Sequence, residues 1–125
     1  MRKPKKARAL TLQHMGIDCH VVLNRYTQGN ALALELVAAN TANNVEQEVQ
    51  AGEHVCRVSI NMKATLGKNE ICVKTYGECD GILAVLTTHN IVSPVNNKTV
   101  SAETPIVTVN IEQANKFSLQ NVDSI

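Results

Sequence analysis

Hydrophobic and polar positions alternate most regularly over HVCRVSINMK, residues 54–63. Here His54, Cys56, Val58, Ile60 and Met62 fall on one side of an extended chain, and Val55, Arg57, Ser59, Asn61 and Lys63 on the other. A period of two predicts a strand with one buried and one wet face. ALALELVAA, residues 31–39, has a helix-favouring composition, yet Leu32, Leu34, Leu36 and Ala38 keep strict alternation. It follows TQGN, where Gly29 and Asn30 tolerate positive φ, so it reads as the return strand of a hairpin. The outgoing strand is CHVVLNRY, residues 19–26, with Cys19, Val21 and Leu23 on one face. ICVKTY, residues 71–76, and the β-branched PIVTVNI, residues 105–111, predict two further strands. Between them IVSPV is a short extended piece ended by Pro94, and VNNKTVSAET reads as loop. The period changes once: Ile82, Leu83, Val85, Leu86 and His89 share a helical face, which predicts a helix from about Asp80 to about Asn90. The Asn-rich run at 40–53 predicts a long loop or a marginal helical turn, and residues 112–125 show weak helical character.

These elements predict a small α+β domain, an antiparallel sheet of about four to six strands packed against one principal helix. At 125 residues with 44% hydrophobic positions the chain suits one domain. Its expected divisions are a flexible basic tail at 1–15, the domain at 16–112, and a C-terminal tail or frayed helix at 113–125. The charge changes this picture at one end. Arg2, Lys3, Lys5, Lys6 and Arg8 supply five of twelve basic residues, leaving the rest of the chain with seven Lys or Arg against eleven acids. The tail is therefore a candidate for weak, sequence-independent contact with nucleic-acid phosphates. The acidic body opposes such contact, and three aromatics (Tyr26, Tyr76, Phe117) give bases little to stack on. The opening MRKPKKARALTLQHMG lacks the apolar run of a secretion signal, and the longest clean apolar run, GILAVL, is too short to span a membrane. A cytoplasmic protein with no membrane partner and four reduced thiols, Cys19, Cys56, Cys72 and Cys79, is the expectation.

The most suggestive local chemistry is GECDG, residues 77–81. Glu78 and Asp80 are paired carboxylates around Cys79, just ahead of the predicted helix. As a hinge, Gly77 and Gly81 reverse the chain and Asp80 caps the helix. The hinge is the preferred reading, because two acids raise a neighbouring thiol's pKa and so oppose a nucleophile. Four Cys with His14, His20, His54 and His89 invite a metal, but no Cys-x2-Cys or His-x3-His spacing occurs. Whether His54, Cys56, Cys19 and His20 converge on a metal stays open. No G-x-S-x-G elbow, G-x-G-x-x-G or phosphate-binding loop is present. No cofactor and no catalytic residue is expected. The strand at 105–111, taken as an exposed edge, offers pairing to another chain, and oligomeric state stays open.

NEICVKTYGECDGILAVLTTHNIV resembles the closing part of a family of small uncharacterised proteins of bacterial conjugative elements, plasmids and prophages. That family has a strand ending in Ile-Lys, a Glu-Asn-Glu-Gly turn and a helix ending in Gly-Ile-Val. The matching positions are Glu70, Val73 and Lys74 of the strand, Glu78, Asp80 and Gly81 of the turn, and Leu83, Leu86, Ile91 and Val92 beyond. QGNALALELV and VCRVSINM resemble its upstream strands, so the likeness covers about residues 26–93. It departs at Cys79 and Asp80, where the family has Asn and Glu, and in the longer loop at 40–53. The resemblance implies a setting rather than a chemistry: a non-enzymatic accessory protein of a mobile element that binds a protein partner, with Glu78, Cys79 and Asp80 as the candidate partner-binding turn.

Overall fold

The alternation of Leu32, Leu34, Leu36 and Ala38 is realised as strand β3, Leu32–Ala38, whose side chains are alternately buried and half-buried. The computed structural model describes residues 9–27, 29, 31–61, 66–101 and 104–119, and of 94–101 the backbone alone. β1 (Leu12–His14), β2 (Ile17–Arg25), β3 and β4 (His54–Arg57) form one antiparallel sheet in the order β1-β2-β3-β4. β5 (Ser59–Ile60), β6 (Glu70–Val73), β7 (Val92–Ser101) and β8 (Thr104–Val109) form a second, in the order β5-β6-β8-β7. Among the described residues three short α-helices complete the α+β fold: α1 (Ala42–Glu46), α2 (Ile82–Thr88) and α3 (Ile111–Asn115). None is principal. α2 has seven residues and buries only Ile82 and Leu86, so the two sheets carry the core.

The regular strand at 54–63 divides at Val58, because the chain changes sheets there. The Val58 N–H donates to the Leu34 carbonyl of the first sheet (3.0 Å), and its carbonyl accepts from the Lys74 N–H beside the second (2.8 Å). The Ser59 hydroxyl then accepts the Leu34 N–H at 2.9 Å, replacing the backbone acceptor that β3 loses as its neighbour leaves. Alternation fails at the same point: Cys56 and Val58 are buried as expected, but so is Ser59, and Ile60 is half-buried. His54 does not face the core either. A register shift at Leu36/Val37 turns it outward, where Nδ1 lies 3.2 Å from Oε2 of Glu35. Met62 lies outside the described residues.

The core gathers Cys19, Val21, Leu23, Leu34, Leu36 and Cys56 from the first sheet. The second sheet and the helices add Ile71, Val73, Val107, Val109, Ile82, Leu86, Ala114 and Phe117. The folded region takes in positions expected to be tails. Leu12 and His14 are buried in β1, and Ala114 and Phe117 are buried at the C-terminal end. β8 is not an edge strand: it pairs with β6 on one side and β7 on the other. β7 runs through Pro94 and much of the expected loop. Its register against β8 shifts between Pro94 and Thr99, an irregularity that an outer strand accommodates.

Helix ends follow local chemistry. Thr41 caps α1, its hydroxyl accepting the Asn44 N–H at 3.2 Å, and buried Asn44 ties the helix to β2. The Asn44 amide accepts the Asp18 N–H (2.9 Å) and donates to the Asp18 (2.8 Å) and Ala39 (2.9 Å) carbonyls. α2 starts two residues later than expected. Asp80 stays extended at ψ 129°, and Gly81, at φ 81°, takes the capping position without a side-chain bond. α2 ends where Asn90 adopts φ 59°, which lets the Ile91 N–H reach back to the Leu86 carbonyl (2.9 Å) and the Asn90 N–H to that of Thr87 (3.0 Å).

Candidate functional site

Gly77 at φ 62° turns the chain into a 3-10 turn, Gly77–Cys79, that divides the expected Glu78, Cys79, Asp80 cluster three ways. Cys79 points inward and forms a disulfide with Cys56 of β4, with a Cα–Cα distance of 5.8 Å and both residues fully buried. This corrects the expectation of four reduced thiols and removes Cys79 from any exposed binding turn. The 23-residue separation hid the pair, which the fold creates by laying the turn against β4. Glu78 points outward, its carboxylate accepting from Lys74 Nζ at 2.7 Å. That bond, with help from a backbone N–H, holds its carboxyl below the usual carboxylate value. Lys74 Nζ also stands 5.2 Å over the Tyr76 ring. Asp80 is exposed. The turn is anchored to β4 by the disulfide.

It also fastens the first sheet. The Glu78 carbonyl accepts from Nε2 of His14 in β1 at 2.7 Å, while the neighbouring Cys79 is bonded to β4. Strands one and four of a flat sheet lie about 14 Å apart. The two contacts tie both outer strands of the sheet, β1 and β4, to two adjacent residues of the turn.

The other candidate ligands are committed separately. His54 meets Glu35, Cys56 is in the disulfide, and Nδ1 of His20 lies 3.1 Å from the Leu10 carbonyl and 3.2 Å from that of Phe117. Cys19 is buried, and its thiol donates to the Ile17 carbonyl at 3.3 Å. Burial, aided by the Asp18 charge and partly offset by the His14 backbone N–H, pushes its pKa up to about 12. Cys72 is buried opposite Ile106, and burial and Glu70 raise its pKa too. Both thiols are held in their unreactive form. His89 stacks edge-on against Phe117 at 5.3 Å. Cys19, His20, His54 and Cys56 do not converge, and no group of three or more His, Cys, Asp or Glu among the described residues is placed to hold a metal. Arg2, Lys3, Lys5, Lys6 and Arg8 lie outside the described residues.

The polar chemistry that does converge lies on the outer face of the first sheet, at its hairpin end. A cleft of about 250 Å³ is lined by Asn24, Arg25 and Tyr26 from β2 and its turn, Glu35 from β3, and Arg57 and Ser59 from the strand that changes sheets. Glu35 and Arg57 are register partners, which puts opposite charges side by side across the β3/β4 pair. The Tyr26 hydroxyl bonds the Ser59 carbonyl (3.1 Å) and hydroxyl (2.9 Å), so the junction of the two sheets forms one wall. The outward placement of Arg57 and Ser59 was readable from alternation, although Ser59 turned out buried. Tyr26 carried no signal, because its partner is 33 residues away.

Comparison with protein-family models, curated proteins and solved structures finds no match. The fold and the site define a small α+β protein whose described imidazoles and thiols are bound into its own framework, with an arginine-lined cleft on the outer face of one sheet. No helix among the described residues is long and apolar enough to cross a membrane.

Proposed function

We propose that this chain is a non-enzymatic accessory protein of a mobile genetic element and that it acts by binding a protein partner. The observation that carries the binding role is the cleft holding Arg25, Arg57, Glu35 and Tyr26 on a sheet face. Arginine and tyrosine suit protein contacts because each offers a large area and directed hydrogen bonds. The mobile-element setting rests on the resemblance of residues 26–93. The reading places the protein in the cytoplasm. A structural disulfide is uncommon there, and the full burial of Cys56 and Cys79 is what would shield this one from an attacking thiolate.

The test is affinity capture with in-cell crosslinking, comparing the wild-type chain with Arg57→Glu. A protein retained by the wild type and lost by the variant is expected. Equal capture by both chains removes the cleft from the role, and turnover of a small-molecule panel without any captured protein overturns the reading. The alternative, nucleic-acid contact through the five cations of residues 1–8, predicts salt-sensitive duplex binding that disappears when those residues are deleted.

A further inference from the structure

At the other end of the same sheet face, His20 sits where the two ends of the described chain meet. It is 7% exposed. Its Nδ1 faces two carbonyl oxygens, of Leu10 and Phe117, and since carbonyls only accept, Nδ1 carries the hydrogen and shares it between them. In the neutral ring Nε2 is then a bare acceptor, its direction fixed by the two backbone bonds. No protein group among the described residues meets Nε2, and it is not sealed off. His20 lines a groove of about 330 Å³ together with Val37, Ala38, Ala39, Ala51 and Leu119, and Nε2 is the polar atom of its ring left to face it. The remaining lining residues, Ala9, Thr11, Asn40, Thr41 and Gly52, are small or uncharged, so among the described residues no charged side chain lines the groove. Ala38 and Ala39 are buried in its floor, whereas Leu119 is 69% exposed at its rim.

We propose that this groove is a binding site for a small, uncharged, largely apolar molecule carrying one O–H or N–H donor, held by a hydrogen bond from that donor to Nε2 of His20. The apolar lining selects the body of the ligand. The fixed acceptor selects its donor, since a ligand lacking one leaves the imidazole nitrogen unpaired on binding. An anion is disfavoured because it meets a lone pair, and among the described lining residues no side chain is cationic. The site is separate from the arginine cleft and stands whether or not a protein binds there.

Matched probes test this: phenol against anisole and indole against N-methylindole, each pair differing in whether the donor is methylated. With the full chain, imidazole ¹⁵N NMR is expected to show the Nδ1–H tautomer in the free protein and a shift of the Nε2 resonance on adding phenol or indole. The donor-bearing probes should bind about tenfold more tightly than their methylated partners. In His20→Asn the amide N–H keeps the bonds to Leu10 and Phe117 but the Nε2 acceptor is gone, so the tenfold preference should vanish. An Nε2–H tautomer in the free protein, equal binding within each pair, or no response of His20 to any probe overturns the proposal. The NMR of the wild-type chain decides alone if the variant does not fold.

Discussion

Glu48 ends α1 in the left-handed region, at φ 61°, so that the Val49 N–H can reach the Asn44 carbonyl (2.9 Å) and its own N–H that of Val45 (3.0 Å). This closure suits glycine, and a side chain there costs about 1 kcal/mol. Glu48→Gly is therefore expected to raise stability by about 1 kcal/mol in urea unfolding. Glu78 gives a pH-dependent counterpart. Its carboxyl is held below its ordinary value, first by Lys74, so its contribution is present above the ordinary carboxylate range and disappears as pH falls through its lowered folded value. Glu78→Gln should melt slightly below the wild type at neutral pH, and the two melting temperatures should converge in acid. Melting curves that stay parallel down to acid pH would assign the loss to something other than this ion pair.

Among the elements, β4 and the turn are held together by the disulfide. It closes a loop over a 23-residue separation, and the chain-entropy relation gives about 3 kcal/mol for a loop of that size. A Cys56→Ala/Cys79→Ala double variant should lose about that much in urea unfolding. Wild-type protein unfolded without reductant should expose two alkylatable thiols, Cys19 and Cys72, rather than four. Four would mean the pair is reduced in the cell that made it. How much of this was legible varies by element. β3 could be read because a half-buried strand writes its period into its side chains, and its helix-favouring alanines and leucines did not override that. β7 could not, since its middle is polar, it contains Pro94, and its pairing with β8 is irregular. The break at Val58 was invisible because alternation reports a face and not which sheet the face belongs to. The cleft was legible as outward positions but not as a cleft, and the disulfide and the His20 junction depend on contacts 23 and 97 residues apart, which periodicity does not sense.

Across the whole molecule, two sheets are joined by one strand that passes between them, and both ends of the described chain return to β2. The Leu10 N–H donates to the Lys116 carbonyl at 2.8 Å, and the Phe117 carbonyl accepts from the Val21 N–H at 3.0 Å as well as from His20. Ala9 and Leu119 line the same groove. The two ends of the described chain therefore lie close enough to be joined. A circular permutant that joins residue 119 to residue 9 through a Gly/Ser linker of about six residues, and begins instead near Gly29 in the hairpin turn, should fold cooperatively with the same disulfide. Failure of that chain to fold, where the linear chain of residues 9–119 folds, would show that the connectivity, and not only the final contacts, is needed to assemble the two sheets.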